Sequence, residues 1–469
     1  MNHSHAFRTS PEVRLVLLIT LFNIVVMAIS YTNERRPRFA SYHRLICTLI
    51  LKIFYKEVES QFKVVSELRP RYRSISRALR QSSQKLPECW HVVFSPDETK
   101  FAWLCGNHKV VLVPWNRSKN CLLDLDDKDE RGNEIKSNLV VIDAGSPVNS
   151  VAFGTGTPEE HLFRQESGRW TRFNFSRDLV LATGHVNGRI RIWDAFSGHV
   201  LLELMDHTDA VRDIAFAPDG SLRLVSGSLD KSLKIWDLKD DGNMIKTLSG
   251  HKSHVFWCTW SPTSVYMASC GSENKVIVWD MKRYKIHQTL VGHYNSVMAC
   301  DFSPDGAILA TASRDTRVIL WDPASGKLLR TLYHVQPPPS FIFASGANGA
   351  WIRGIAYSRD GMHIGTVSEG GLVRFWNLVD EERDIPMVKQ CDNNDEEEEL
   401  LCCSVSPSGR TLAVGNSESR VTFYQVPRVV GTLKHLARMA VRKHLESPNI
   451  DNILLPTRLT EYLKYHLWY

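Results

Sequence analysis

Four Trp-Asp pairs, spaced almost evenly along the chain, constrain its fold more than any other feature. Successive pairs lie 43, 43 and 42 residues apart. The pairs are Trp193-Asp194, Trp236-Asp237, Trp279-Asp280 and Trp321-Asp322. A fixed period of about 40–45 residues that ends in Trp-Asp is typical of a β-propeller, in which each repeat forms one four-stranded blade. Propellers usually serve as rigid surfaces that hold other proteins. The repeat therefore predicts the fold and only hints at the activity.

The repeat that ends at Asp237 has the clearest strand pattern. The run VRDIAF at 211–216 alternates apolar and polar residues, and an Ala-Pro-Asp-Gly turn follows it at 217–220. The runs LRLVSGS and LKIWD come next, separated by a polar turn at Asp230 and Lys231. Strand-length runs divided by Pro, Asp and Gly predict antiparallel strands joined by hairpins.

Weaker copies of this pattern extend the repeat on both sides. Upstream, WHVVFSPDETKFAW leads to VLVPW, and two downstream copies end in FWNL and VTFYQV. An aromatic residue closes each copy, at Trp115, Trp193, Trp236, Trp279, Trp321, Trp376 and Tyr424. The sequence therefore predicts an all-β, seven-bladed propeller over residues 58–427.

The repeats resemble those of WD-repeat proteins, in which His, Ser or Thr, Asp and Trp share a buried hydrogen-bond network in each blade. The matching residues here are His207, Asp230, Trp236, His251, Trp279, His293, Asp315 and Trp321. Glu273 replaces the Asp in one blade, and the flanking blades lack the Gly-His pair. Because the residues recur with the repeat, we interpret them as structural and not as an acid–base pair.

Charge and motif content narrow the classes of function. The net charge of +6 is concentrated at the ends, because residues 1–57 contribute +5 and residues 428–469 contribute +4, which leaves −3 for the repeats. This balance does not indicate nucleic-acid binding. The ten cysteines include no C-x-x-C, which indicates a reduced intracellular protein without a metal site. A P-loop, a nucleophile elbow and an HExxH motif are also missing, so we expect neither an enzyme nor a cofactor.

The first 57 residues form an extension whose status the sequence leaves open. The run LVLLITLFNIVVMAI at 15–29 predicts an apolar helix, which is short for a membrane span. It could be a signal peptide, cleaved after a small-x-small site at Ala28 and Ser30. It could also be a membrane anchor that leaves the rest of the chain in the cytosol, since arginines follow it closely. A third interpretation is a gene-model extension that is absent from the working protein. The last two are preferred over secretion.

After Pro427 the strand pattern gives way to a helical one, which defines a tail over residues 428–469. Between Thr432 and Leu445, apolar residues recur at helical spacing on one face, and basic residues occupy the other. The apolar residues are Leu433, Leu436, Ala437, Ala440, Val441 and Leu445, and the basic ones are Lys434, Arg438, Arg442 and Lys443. A second short helix is predicted after Pro456. Two such helices have too little core of their own, so they must dock on the propeller or on another protein.

The tail resembles a SOCS box, a small helical module. Its first helix matches the elongin-binding box, through Thr432, Leu433, Leu436, Ala437, Val441 and Leu445. The run Ile453-Leu-Leu-Pro456 is similar to the cullin box, and the residues that the resemblance assigns to cullin binding are Leu455, Pro456, Leu459, Tyr462 and Leu463. Leu454 stands where the cullin box usually has its first proline, which leaves the choice between cullin-5 and cullin-2 open.

Together, the two regions resemble the WD-repeat and SOCS-box-containing proteins over residues 88–469. The resemblance implies a substrate receptor of a ubiquitin ligase, a non-catalytic adaptor in the cytoplasm or nucleus. Its expected partners are elongin C, elongin B, cullin-5 with its RING protein, and a protein substrate that the sequence does not identify. The alternatives are a non-degradative scaffold and a secreted adhesive propeller, which would require the signal peptide.

Substrate binding is expected on one face of the propeller. Alignment of the blades places one variable residue of each just inside the innermost strand. These residues are His91, Asn149, Arg212, Phe256, Met298, Arg353 and Leu401. Arg and aromatic residues are favoured anchors at protein interfaces, so this ring is a candidate surface for a protein motif.

Overall fold

The computed structural model describes residues 64–68, 88–105, 108–116, 121–122, 140–156, 179–334, 351–378, 387–390, 399–427, 433–444, 450 and 456–465. The apolar segment at 15–29 lies outside these residues. In the described part of the chain, no helix is long and apolar enough to cross a membrane.

Seven antiparallel sheets form the seven blades. The strand β1 (Val64–Leu68) comes first in the chain but belongs to the last blade. Blade 1 contains β2 (Val92–Phe94), β3 (Lys100–Leu104), β4 (Lys109–Asn116), β5 (Cys121–Leu122) and β6 (Val140–Asp143). Blade 2 contains β7 (Val148–Thr155), β8 (Leu179–His185), β9 (Arg189–Asp194) and β10 (Val200–Met205). Blade 3 contains β11 (Val211–Phe216), β12 (Arg223–Ser228), β13 (Ser232–Asp237), a 3-10 turn (Leu238–Asp240) and β14 (Asn243–Ser249).

The remaining blades repeat this order. Blade 4 contains β15 (Val255–Trp260), β16 (Tyr266–Gly271), β17 (Lys275–Asp280) and β18 (Lys285–Val291). Blade 5 contains β19 (Val297–Phe302), β20 (Leu309–Ser313), β21 (Arg317–Trp321) and β22 (Leu328–Tyr333). Blade 6 contains β23 (Ile352–Tyr357), β24 (His363–Ser368), β25 (Leu372–Asn377) and β26 (Met387–Gln390). Blade 7 contains β27 (Leu400–Val405), β28 (Thr411–Asn416) and β29 (Val421–Gln425), and the tail adds α1 (Leu433–His444) and α2 (Thr457–Leu463).

The blades close into a ring around a central channel. The innermost strands contact one another in chain order, from β2 through β7, β11, β15, β19 and β23 to β27, and β27 returns to β2. The strand β1 pairs antiparallel with β29 and so supplies the outer strand of blade 7. The two ends of the repeat region are therefore joined in one sheet. This pairing provides partners for backbone N–H and C=O groups of β29 that would otherwise lie at a sheet edge.

Apolar residues of neighbouring blades pack together between the sheets. One such cluster joins Ile190 and Ile192 of blade 2 to Leu224 and Trp236 of blade 3, and all four side chains are buried. Each strand presents alternate residues to its two faces, and both faces of a blade meet another blade. This is why nearly every position of the second strand of a blade is buried, as in β12, β16, β20 and β24.

A buried hydrogen-bond chain fixes the inner strands within blade 3. The indole Nε1 of Trp236 donates to Ser226 Oγ at 2.9 Å, and Ser226 Oγ lies 2.7 Å from His207 Nε2. His207 Nδ1 then lies 2.7 Å from Asp230 Oδ2. Burial lowers the pKa of His207, although Asp230 opposes the shift. The neutral imidazole donates from Nδ1 to Asp230 and accepts at Nε2 from Ser226. Each of these four side chains therefore has a hydrogen-bond partner.

Blade 5 repeats this chain through Trp321, Thr311, His293 and Asp315. In blade 4, Trp279 and His251 both bond Ser269, but Glu273 lies 4.0 Å from His251 Nδ1. The longer Glu side chain instead accepts from the backbone N–H of Ser253 at 2.8 Å.

Blades 2 and 6, which lack a Gly-His pair, also bond a histidine to the Thr that accepts from the Trp. In blade 6, His334 Nε2 lies 3.0 Å from Thr366 Oγ1, which also accepts from Trp376. In blade 2, His185 reaches Thr183 from the end of the same strand, and Trp193 completes the set. Five blades therefore contain the same bonds from a histidine and a Trp to one Ser or Thr. The sequence motif identified only three of them, because His334 follows Tyr333 instead of a Gly and His185 lies on β8, away from the place of the motif in the repeat.

Candidate functional site

The first tail helix, α1, turns its apolar face to solvent. Leu436 is 53% exposed and Val441 is 37% exposed. Ala437 and Ala440, which lie between them on the same face, are also exposed. Apolar periodicity predicts the helix itself, but in a tail that docks on the propeller such a face would ordinarily be buried. Here it stays uncovered by the described residues.

The opposite face of α1 packs against the rest of the chain. His435, Arg438 and Arg442 are buried, and Met439 is partly buried. Arginine can be enclosed in this way because its flat guanidinium stacks on aromatic rings and tolerates desolvation better than an ammonium group. The helix is thus attached by its polar side, and its apolar side remains available.

Two tyrosines hold Arg438 in place. Its guanidinium carbon lies 3.6 Å from the centroid of the Tyr462 ring in α2 and 4.2 Å from that of Tyr465, just after α2. The hydroxyl of Tyr465 donates to Asp305 Oδ2 in blade 5 at 2.8 Å. Burial, reinforced by the Asp305 charge, raises the pKa of Tyr465 well above its usual range, so this hydroxyl remains a donor. These contacts join both tail helices to one turn of the propeller.

A second group of contacts fixes α1 to blade 6. His435 Nε2 donates to the carbonyl oxygen of Asp360 at 3.0 Å. The next residue, Gly361, has a φ of +69°, and a Cβ atom there would lie 3.2 Å from Met439 Cε. The turn needs glycine for its left-handed backbone, and the helix needs it for close approach.

The turns of blades 5 and 6 that contact the tail come directly after the innermost strands. The helix α1 therefore lies at the end of the channel where those strands finish. Met439 and Ala440 line the mouth of a channel cavity of about 1070 Å³, together with inner-strand residues of all seven blades. The tail therefore marks one end of the ring. The other end, where the innermost strands begin, carries the residues predicted to bind substrate.

The residues predicted to bind elongin divide into three groups. Leu436, Ala437 and Val441 share the exposed face of α1. Leu433 is the first residue of α1, and its side chain lies outside the described part of the structure. Thr432 and Leu445 lie outside the described residues.

The predicted cullin contacts need correction in α2. Tyr462 and Leu463 are only 7% and 5% exposed, because they face the rest of the chain and the Tyr462 ring stacks on Arg438. They hold the tail together and are not surface contacts. Pro456 and Leu459 are exposed, and Leu455 lies outside the described residues.

The predicted ring at the other end of the channel needs a change of register in blade 1. Phe94 pairs with Phe101 in the same way that Phe216 pairs with Leu224, so Phe94 and Phe216 are equivalent. Four residues before each of them, Trp90 is therefore the equivalent of Arg212. His91 lies one residue deeper. The error arose because blade 1 lacks the Gly-His landmark, so only the strand pairing fixes its register. The other six predicted residues, Asn149, Arg212, Phe256, Met298, Arg353 and Leu401, each occupy the second position of the innermost strand.

His91 instead points into the channel. Its ring centroid lies 5.4 Å from that of Trp257 in blade 4, and its Nε2 lies 3.8 Å from Asp213 in blade 3. Burial lowers the pKa of His91 to about 4, and burial raises that of Asp213 to about 7. Asp213 accepts from the backbone N–H of Cys258 in blade 4 at 2.8 Å, a structural bond between blades. We assign these residues to the channel interior and not to its rim.

No group of His, Cys, Asp or Glu that could hold a metal ion occurs among the described residues. Seven cysteines, whose side chains the structure describes, are free and buried.

Known families match both regions. The repeats match the model for the WD domain, G-beta repeat, at residues 198–237, 242–280 and 284–322, and the tail matches the SOCS box at residues 430–464. The chain is similar to WD repeat and SOCS box-containing protein 1 of Homo sapiens, with 44% identity over 418 residues, or 85% of this chain and 97% of that protein. The Danio rerio protein of the same name is 46% identical over 397 residues, which cover 81% of this chain and 91% of the relative.

Proposed function

The chain belongs to the family of WD-repeat and SOCS-box-containing proteins, and from this membership we propose that it is the substrate-recognition subunit of a cullin-RING ubiquitin ligase. In this proposal the propeller holds a protein substrate and the tail recruits the ligase through elongin C, with elongin B. The chain itself carries out no covalent step. It raises the effective concentration of the substrate near the ubiquitin-loaded enzyme.

The observation that supports this proposal best is the orientation of α1. Leu436, Ala437 and Val441 form an exposed apolar face on a helix whose other face is already attached. Burying a fully exposed Leu or Val side chain stabilises a complex by about 1.5–3 kcal/mol, so covering this partly exposed face would contribute a share of that. An amphipathic helix that inserts such a face into a groove is a common mode of protein recognition. We propose that elongin C supplies the groove and that Leu433 extends the same contact.

For the cullin, we propose that the exposed residues Pro456 and Leu459 make the contact. They lie at the start of α2, while the far end of that helix is buried against α1. Cullin-5 is the proposed partner on the resemblance of the cullin box, although Leu454 departs from that pattern. Capture of cullin-5 and cullin-2 in parallel by the protein in complex with elongins B and C would test this choice, and preferential capture of cullin-2 would contradict it.

The elongin contact is tested by co-expression with elongins B and C followed by affinity capture. Ala437→Asp combined with Val441→Asp places two charges on the apolar face. We expect the captured elongins to fall by at least about tenfold, because a buried unpaired charge is costly in an interface. The matched control is Met205→Asp with Val291→Asp, which changes two exposed apolar residues on outer strands of blades 2 and 4.

Undiminished elongin capture by the Ala437 and Val441 variant would contradict the proposed function. A non-degradative scaffold, whose tail binds some other protein, would then be the better account. Circular dichroism of both double variants checks that the propeller is still folded, since a loss of fold would also reduce capture.

A further inference from the structure

Three arginines from different blades gather at the end of the channel opposite α1. Arg212 and Arg353 are each the second residue of an innermost strand. Arg314 follows β20, and its backbone N–H bonds the carbonyl of Ser296, the residue before β19, at 3.0 Å. All three therefore belong to the end where the innermost strands begin. We call Arg212, Arg314 and Arg353, with Trp90 and Trp351, the arginine rim.

The three guanidinium groups are close enough to repel one another. Burial lowers the pKa of Arg212, and the charges of Arg353 and Arg314 lower it further. Burial and the charge of Arg353 likewise lower the pKa of Arg314. Since like charges are costly to gather in a partly buried place, an anionic ligand would relieve the repulsion.

Two tryptophans hold the arginines at the rim. The guanidinium carbon of Arg212 lies 5.3 Å from the centroid of the Trp90 ring, and that of Arg314 lies 4.9 Å from the Trp351 ring. Stacking on indole restrains a guanidinium while its N–H donors stay free to bind. The rim thus combines restrained cations with flat apolar surface, the composition that is favoured at protein-binding hot spots.

Acidic neighbours offset only part of this charge. Glu369 pairs with Arg353, and Asp213 lies near Arg212 in the channel. The Nε atoms of Arg314 and Arg353 are buried and have no hydrogen-bond partner within the described part of the chain. The side chains of all three rim arginines are nevertheless only partly buried, and guanidinium groups in such a place are suited to an incoming carboxylate.

We propose that the arginine rim binds a substrate segment rich in Asp and Glu, through the side-chain carboxylates of that segment. The pair between Glu369 and Arg353 is an example of this chemistry already present at the rim. Nucleic acid fits less well, because the repeats as a whole carry a net charge of −3. The inference deepens the proposed function, on which it rests, by naming the chemical class of substrate.

The test uses the full chain, prepared with and without co-expressed elongins B and C, and measures fluorescence anisotropy. The probe is a short fluorescein-labelled peptide in which Glu pairs alternate with Leu and Tyr. A second peptide carries Gln for every Glu, and a third carries phosphoserine in those places. We expect the Glu peptide to bind and the Gln peptide to bind at least about tenfold more weakly, since hydrogen bonds to charged groups are the stronger ones.

Variants assign the binding to the rim. Arg212→Gln and Arg314→Gln should each weaken binding of the Glu peptide about tenfold. The control is Arg283→Gln, whose side chain is 81% exposed in the turn between β17 and β18. Equal binding of the Glu and Gln peptides, or unchanged binding by both rim variants, overturns the proposal. Binding of the phosphoserine peptide alone overturns its assignment to carboxylates.

Elongin capture by the same variants separates this inference from the proposed function. If the rim variants retain the elongins and lose the peptide, they are folded and the rim is supported. If unmodified full chain binds the Glu peptide but captures no elongin, the proposed function fails and the rim stands. If it captures elongin and binds none of the peptides, the rim fails alone.

Discussion

At the scale of single residues, Arg438 and Tyr465 decide how the tail is held. Arg438 is buried between the rings of Tyr462 and Tyr465, and the Tyr465 hydroxyl reaches Asp305 in blade 5. A basic residue on a helix ordinarily faces water, so the sequence alone favours an exposed Arg438. Two aromatic rings reverse that preference because they cover the guanidinium and attract its charge.

Tyr465→Phe tests this attachment. Removal of one hydroxyl leaves Asp305 Oδ2 without that donor, although Asp305 Oδ1 keeps its bond from Ser303 at 2.6 Å. We expect a loss of about 1–2 kcal/mol in the free energy that holds the tail on the propeller. Limited proteolysis, read by mass spectrometry, should show faster cleavage within residues 428–469. A cleavage rate in that segment equal to that of the unmodified protein would contradict the role given to Tyr465.

At the scale of elements, α1 is an amphipathic helix attached by the face that usually meets water. The turn of blade 6 makes this arrangement possible, because it has no side chain where Met439 approaches. The exposed apolar face is therefore a consequence of how the helix is docked. A helix rotated by half a turn would have the same sequence and would hide the proposed elongin contact.

Gly361→Ala tests the docking of the helix, and Gly145→Ala, in the turn before β7 and away from the residues that hold the tail, is its control. The two φ angles are +69° and +65°, so both variants should lose about 1 kcal/mol from backbone strain. Only at position 361 would the new methyl group press on Met439, at 3.2 Å, whereas at position 145 the nearest atom, of Arg191, is 3.6 Å away. We expect faster hydrogen exchange in α1 for Gly361→Ala alone. Equal exchange in the two variants would show that the Met439 contact is unimportant.

At the scale of the whole molecule, the ring separates two surfaces. The tail lies where the innermost strands end, and the arginine rim lies where they begin. In the proposed function, a rigid closed ring would keep the substrate at the rim and the ligase at the tail at a fixed separation, which suits an adaptor. This rigidity depends on closure, and β1 provides it by pairing with β29.

Two truncations test the closure. A chain that starts at residue 62 retains β1, and a chain that starts at residue 69 lacks it. The second should unfold at a temperature lower by at least about 5 °C, because the edge of β29 loses a paired strand. Differential scanning calorimetry of both proteins measures the shift. Equal unfolding temperatures would mean that β1 contributes little to the ring.

The sequence by itself determined the elements that depend on local pattern. The Trp-Asp period and its weaker copies predicted seven blades, and helical spacing predicted α1, because strand and helix periods are properties of neighbouring residues. Resemblance of the same residues predicted the SOCS box, which the family match to the tail confirms.

Only the tertiary structure decided the features that depend on residues far apart in the chain. These are the closure by β1, the hydrogen bonds of His185 and His334, the register that places Trp90 at the rim, and the outward face of α1. Each depends on a partner that no local pattern names: β29 for β1, and Asp305, Asp360 and Gly361 for the tail. Periodicity reveals that a helix has two faces. Which face is buried is set by the surface that the folded ring offers to it.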